Sequence, residues 1–123
     1  MKKIAVVILN WNGIELLKKF IPNTINYSKE ANIYVIDNFS SDGSVEFLKT
    51  NHPNINVIEL DKNYGFAEGY NRGLKNINEE IYCLLNSDIE VAENWLEPII
   101  KEFNNINTSI AQPTILDLSL IHI

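Results

Sequence analysis

Four short polar clusters, each following an apolar run or lying just beyond one, carry the residue types that could do chemistry. They are Asn10-Trp11-Asn12-Gly13, Asp37-Asn38-Phe39-Ser40-Ser41-Asp42-Gly43, the stretch from Asn63 to Gly73, and Asn86-Ser87-Asp88-Ile89-Glu90. Asp37 closes an apolar run, where burying a carboxylate is costly unless the charge is paired or hydrogen-bonded. A nucleobase N–H would supply that partner. The Ser40-Ser41-Asp42-Gly43 that follows also reads as a turn and helix cap. In the third cluster Gly65, Gly69 and Gly73 recur every fourth residue, near one face of a helix, where they let a ligand or another backbone approach closely. Packing of that helix on a sheet is the other use they allow, and Arg72 could equally meet a phosphate or make a surface pair. The fourth cluster offers hard oxygen ligands. Magnesium or manganese takes few protein carboxylates and completes its shell with phosphate oxygens and water, so Asp88 alone can suffice; an ordinary Asx turn is the other reading.

These clusters need strands and helices in alternation to hold them. Residues 4–9 are continuously apolar and rich in β-branched side chains, the pattern of a strand covered on both faces. Ile14, Leu17, Ile21 and Ile25 then mark a helical face. The cycle repeats with a strand over 33–36 and a helix carrying Val45 and Leu48 that stops before Pro53. A third strand over 56–60 precedes a helix with Phe66, Tyr70, Leu74 and Ile77 on one face. The fourth strand, over 81–85, precedes a helix that buries Trp95 or Leu96, Ile99, Ile100 and Phe103, with Pro98 in or near its first turn. Four strands alternating with helices predict an α/β fold, a mostly parallel sheet with helices on both faces. Right-handed crossovers bring the loops after the strands to one edge, so residues 10–13, 37–43, 61–65 and 86–90 should line one site.

At 123 residues the chain suits one domain or part of one. Its net charge of −6 opposes a polyphosphate backbone, which argues against nucleic-acid binding. The apolar run near the N-terminus is far too short for a membrane span and precedes no cleavage signal, so it reads as a strand and the protein as cytoplasmic. Cys83 is the only cysteine and reads as a small core residue. The first loop lacks G-x-G-x-x-G and no P-loop pattern follows any strand, which weakens a dinucleotide-binding or nucleotidyltransferase reading.

Taken in order, VVILNWNG, VIDNFSSDGS, NYGFAEGYNRG and LLNSDIEV resemble the family 2 glycosyltransferases of the GT-A fold, in particular the bacterial rhamnosyltransferase-like members. The resemblance runs from residue 4 to about 117. It implies that Asn10, Trp11 and Asn12, with Asp37, Asn38 and Ser40, hold the nucleobase and ribose of a nucleotide-diphospho-sugar donor, and that Asn63, Gly65 and Asn71 border the nucleotide and its sugar. The family's DxD motif is represented by Asn86-x-Asp88, with Asp88 the implied ligand of a divalent cation, Mg2+ or Mn2+. The loss of one carboxylate at Asn86 weakens that site.

What the resemblance implies for activity is transfer of a sugar, with inversion, to an acceptor hydroxyl on a glycan or lipid-linked acceptor, in polysaccharide or cell-surface glycan synthesis. A cytoplasmic location, at the inner face of the membrane through peripheral association of the full-length protein, goes with it. The family's general base lies well after the DxD-like site, so no catalytic residue is expected here: residues 1–117 read as the N-terminal, donor-binding part of a truncated domain, inactive alone. A non-catalytic nucleotide-binding fragment is the alternative. Leu118 to Ile123 read as a non-native tail, with a fifth strand as the other reading.

Overall fold

The computed structural model of the protein describes residues 4–105. The expected α/β alternation is present throughout them: β1 (Ile4–Asn10), α1 (Ile14–Asn26), β2 (Asn32–Asp37), α2 (Ser44–Asn51), β3 (Asn56–Glu59), α3 (Phe66–Leu74), β4 (Ile81–Leu85) and α4 (Leu96–Phe103). The tail over 118–123, and with it the choice between an appendage and a fifth strand, lies outside the described residues.

All four strands are parallel, in the order β3-β2-β1-β4. The chain thus steps outward through β1, β2 and β3, then returns across the sheet to set β4 on the other side of β1. Right-handed crossovers turn that reversal into a division of the helices. Val6, Ile8, Ile33 and Val35 form one core with Leu17 and Ile21 of α1, Leu48 of α2 and Leu96 and Ile99 of α4. On the opposite face Ala5, Val7 and Ile36 pack with Tyr70 of α3 and Ile77 just beyond it. β1 sits between two strands and two helical layers, which is why its side chains from Ile4 to Ile8 are all buried, each larger one contributing about 1.5–3 kcal/mol.

The two faces are unequally covered. Tyr82 and Leu84 share the α3 face with Ala5 and Val7 yet remain 42% and 55% exposed, because α3 lies over β1 and β2 and no described element covers β4. Cys83 points the other way, half-buried against the larger core, and burial pushes its thiol pKa up to about 11.

Helix ends differ slightly from the periodicity. α1 runs on through Pro22, whose ring nitrogen cannot donate to the helix, and the neighbouring Asn23 side chain ties α1 to the segment before α4: its amide donates to the Val91 carbonyl at 3.0 Å and accepts from Val91 N at 2.8 Å. Pro98 falls in the first turn of α4, where a missing N–H costs nothing, and Trp95 just before it donates to Ser28 Oγ at 3.0 Å. α3 ends at Leu74, and Ile77 reaches its core from the turn that follows.

The three glycines of the third cluster have separate uses. A Cβ on Gly73 would stand 2.2 Å from Ile36 Cδ1, and one on Gly69 would meet Asn38 Nδ2 at 3.0 Å and Leu9 Cδ1 at 3.1 Å. Both let α3 lie close on the sheet, the packing alternative. Gly65 instead has φ +80, a left-handed position at the helix entrance that other residues adopt with strain.

Candidate functional site

Parallel strands end on the same edge, and here that edge carries the polar clusters. The strand order reverses between β1 and β4, so the loops after these two strands diverge around the place where open α/β sheets take their ligands. β1 and β2 are in register to their last residues, with Asn10 opposite Asp37. Those two side chains are 1% and 3% exposed.

Asp37 is the hub of a hydrogen-bond network. Its Oδ1 accepts from Asn10 Nδ2 at 3.0 Å and from the Ser40 hydroxyl at 2.7 Å, and its Oδ2 accepts from Ser40 N at 2.9 Å. Ser40 Oγ in turn accepts from Asn12 N at 2.8 Å, and Asn12 Oδ1 accepts from Ser41 N at 2.7 Å, stitching the first loop to the second. The buried carboxylate therefore has its partners within the protein. The sequence argument that burial calls for a nucleobase is met in another way, by Asn10 and Ser40. Asn10 Oδ1 is the one side-chain oxygen of this network without a hydrogen bond among the described residues, and it lies against Gly13, where a Cβ would stand 2.7 Å away.

Asn38 faces the next loop. It accepts from Tyr64 N at 2.9 Å and donates to the Gly65 carbonyl at 2.9 Å, while Asn63 Oδ1 accepts from Gly65 N at 2.8 Å. The entrance of α3 is thereby fastened to the end of β2. Asn10, Asn12, Asp37, Asn38, Ser40, Asn63 and Gly65, all expected at one site, form one connected patch. Trp11 projects beside it, 56% exposed.

Among the described residues, no hydrogen bond ties Asn71 or Asp88 to the patch. Asn71 is exposed on α3, and Arg72 next to it donates to Glu68 at 2.8 Å with its guanidinium 4.0 Å from the Tyr64 ring, the surface pair of the two readings. Asn86-Ser87-Asp88 forms a turn beyond β4 with Asp88 exposed. Among the described residues, no group of three or more histidine, cysteine or acidic side chains converges as a metal site. A lone exposed carboxylate beside a neutral amide nevertheless fits a cation whose remaining ligands come from a diphosphate and water.

Asp42 does more than the cap foreseen for it. One oxygen accepts from Ser44 N at 3.0 Å and from the Ser44 hydroxyl; the other accepts from Ile14 N at 3.0 Å. A single carboxylate thus serves the first turns of both α1 and α2, whose dipoles favour its charge. Burial pushes its pKa up, but these hydrogen bonds outweigh burial and hold it below the usual carboxylate value. The reach to Ile14 spans 28 residues and has no signature in sequence spacing.

Comparison with known proteins fits this geometry. The glycosyl transferase family 2 model matches residues 5–118. The chain is 24% identical to a teichoic acid poly(glycerol phosphate) polymerase of Staphylococcus epidermidis, over 100% of this chain and 19% of that protein. It is 26% identical to a low-salt glycan biosynthesis hexosyltransferase of Haloferax volcanii, over 93% of this chain and 37% of that one. The chain thus spans well under half the length of these relatives. Among solved structures, Staphylococcus aureus TarS 1-349 in complex with UDP superposes with a TM-score of 0.72 at 18% identity, covering 83% of this chain and 32% of that one. A mannosyltransferase from Pyrobaculum calidifontis, in complex with GDP-Man and Mn2+, gives 0.62 at 21% identity over 71% and 28%. The parallel sheet with its two helical layers is the GT-A arrangement of these glycosyltransferases, and the family match over nearly the whole sequence places the chain in glycosyl transferase family 2.

Proposed function

We propose that this chain forms the donor-binding part of an inverting glycosyltransferase of the hexosyltransferase class, similar to the rhamnosyltransferase-like members of the family. The single observation that carries this reading is the network joining Asn10, Asn12, Asp37 and Ser40 at adjoining strand ends, beside the reversal of strand order. It presents preordered polar groups where a nucleoside would enter. Trp11 offers a flat apolar surface next to them. Asn63, Gly65 and Asn71 border the path from the nucleoside towards the sugar.

Asp88 would hold the divalent cation, Mg2+ or Mn2+, and a cation there supplies positive charge against the leaving diphosphate. The protein's own part is orientation. Asp37 and Asn10 fix the nucleoside end, the Asn38 clamp fixes the entrance of α3, and the anomeric carbon is left open to an acceptor hydroxyl on the face away from the diphosphate. No described residue is assigned the role of general base, and the chain by itself is expected to bind donor without turning it over. A relative that polymerises teichoic acid and another in glycan biosynthesis support a place in polysaccharide or cell-surface glycan synthesis, with a glycan or lipid-linked acceptor. Among the described residues no helix is long and apolar enough to cross a membrane. We place the protein on the cytoplasmic side, working at the inner membrane face, where such donors and acceptors meet.

The test is calorimetric titration of the chain with uridine, thymidine and guanosine diphosphates, each with and without manganese. Saturable binding of one of them, lost in an Asp37→Ala variant that circular dichroism shows to be folded, supports the reading. Binding of none by a folded protein contradicts it.

A further inference from the structure

Phe39 is placed at a cost and uncovered. Its backbone has φ +69, a left-handed conformation that a bulky side chain adopts only under strain, and its ring is 54% exposed. The turn lets Ser40 reach Asp37, but the exposure of the ring gives the free protein nothing. The flanking residues hold it there: Asn38 N donates to the Asn10 carbonyl at 2.8 Å, and Ser40 N donates to Asp37 Oδ2 at 2.9 Å, so the residue between them cannot rotate inward.

Its surroundings narrow what the ring is for. Ser40, Ser41, Asp42 and Gly43 follow it, so the ring stands on a loop of hydrogen-bonding residues. A single flat ring among hydrogen-bonding groups suits a small ligand with a flat face. Trp11, 56% exposed, leaves the neighbouring strand end one residue beyond Asn10, as Phe39 leaves two residues beyond Asp37, and Asn10 and Asp37 are partners in register. Two uncovered rings thus follow the ends of adjacent strands, each within two residues of the buried pair Asn10 and Asp37.

We propose that Phe39 is a donor-binding residue whose ring packs against the nucleobase, the second aromatic surface of the base site beside Trp11. This rests on the donor-binding reading given above. The strain at Phe39 keeps an aromatic surface in place before the nucleotide arrives, so binding need not order it.

The experiment compares wild type with Phe39→Gly, Phe39→Ala and Phe39→Tyr in the full chain, by calorimetry against uridine, thymidine and guanosine diphosphates and inorganic pyrophosphate, and by thermal melting. The nucleotide that wild type prefers should bind about tenfold more weakly to the Gly and Ala variants and nearly normally to the Tyr variant, as expected for a lost base–aromatic contact. Pyrophosphate affinity should not change. Phe39→Gly should melt no lower than wild type, because glycine removes the strain at φ +69. Three results would overturn the proposal with donor binding intact: unchanged nucleotide affinity in Phe39→Gly and Phe39→Ala, an equal loss for pyrophosphate, or a clear fall in the melting point of Phe39→Gly, which would make the ring a structural contact. If wild type binds no nucleoside diphosphate, the donor-binding reading fails and this proposal with it.

Discussion

The strand ends of β1 and β2 and the strand end of β4 lie on one edge of one sheet, yet they are built in different ways. At the first, Asn10 and Asp37 are buried and every bond of the network has a named donor and acceptor within the protein. At the second, Asp88 is exposed on a turn. Buried polar groups are costly unless satisfied, and at the β1–β2 end every side-chain oxygen of the network except Asn10 Oδ1 has its partner within the protein before any ligand arrives. An exposed carboxylate has water as its partner and can wait. Under the proposed function the nucleoside end would be preorganised, and the diphosphate end would be assembled by its ligand.

Substituting the two aspartates gives the largest expected contrast. Asp37→Ala should cost roughly 2–4 kcal/mol of stability, since it strands the donors of Asn10 and Ser40, whereas Asp88→Ala should change stability by no more than about 0.5 kcal/mol. Urea unfolding followed by circular dichroism measures both. Equal effects would erase the distinction between the two ends. Asn38→Ala is next: it removes two hydrogen bonds to the entrance of α3 and should cost about 1–2 kcal/mol, with faster amide exchange at Tyr64 as the local sign.

Asp42 gives a smaller effect with a definite pH dependence. Its folded-state pKa lies below the ordinary 3.8, so its contribution is complete above the unfolded value and is lost as pH falls through the folded one. Asp42→Asn should therefore cost about 1 kcal/mol at neutral pH, as a lost cap does, and progressively less in acid. A cost that stays constant below pH 4 would show that the charge is not what matters.

How much of this was legible in the sequence follows the same physical lines. Local patterns foretold the four strands and four helices, because apolar periodicity is written in consecutive residues; β1 and β4 carry the same side chains as expected, with β1 longer by Asn10. The order of the strands was not legible, since a pairing such as Asn10 with Asp37 is a long-range fact. For the site, the polar clusters were evident from residue type, but their internal bonding was not. Asp37 looked like a carboxylate in want of a ligand until Asn10, 27 residues away, proved to be its partner. Gly69 and Gly73 admitted two readings until Ile36 and Leu9 were found beneath them. Phe39 gave no sign of its left-handed backbone, because that conformation is imposed by Asn38 and Ser40 on each side.

The central claim, a finished nucleoside end coupled through the ligand to an unfinished metal end, is tested most directly by titrating a nucleoside diphosphate into the chain over a range of manganese concentrations, in wild type and in Asp88→Asn. Asn86 is neutral, so Asp88 is the only carboxylate of its motif, and diphosphate oxygens must complete the coordination shell. Metal and nucleotide should then strengthen each other by the same factor, as linkage requires. In Asp88→Asn the nucleotide should still bind, at the wild-type affinity measured without metal, and manganese should no longer improve it. Nucleotide affinity in wild type that is indifferent to manganese, or a manganese effect that survives in Asp88→Asn, would contradict the account.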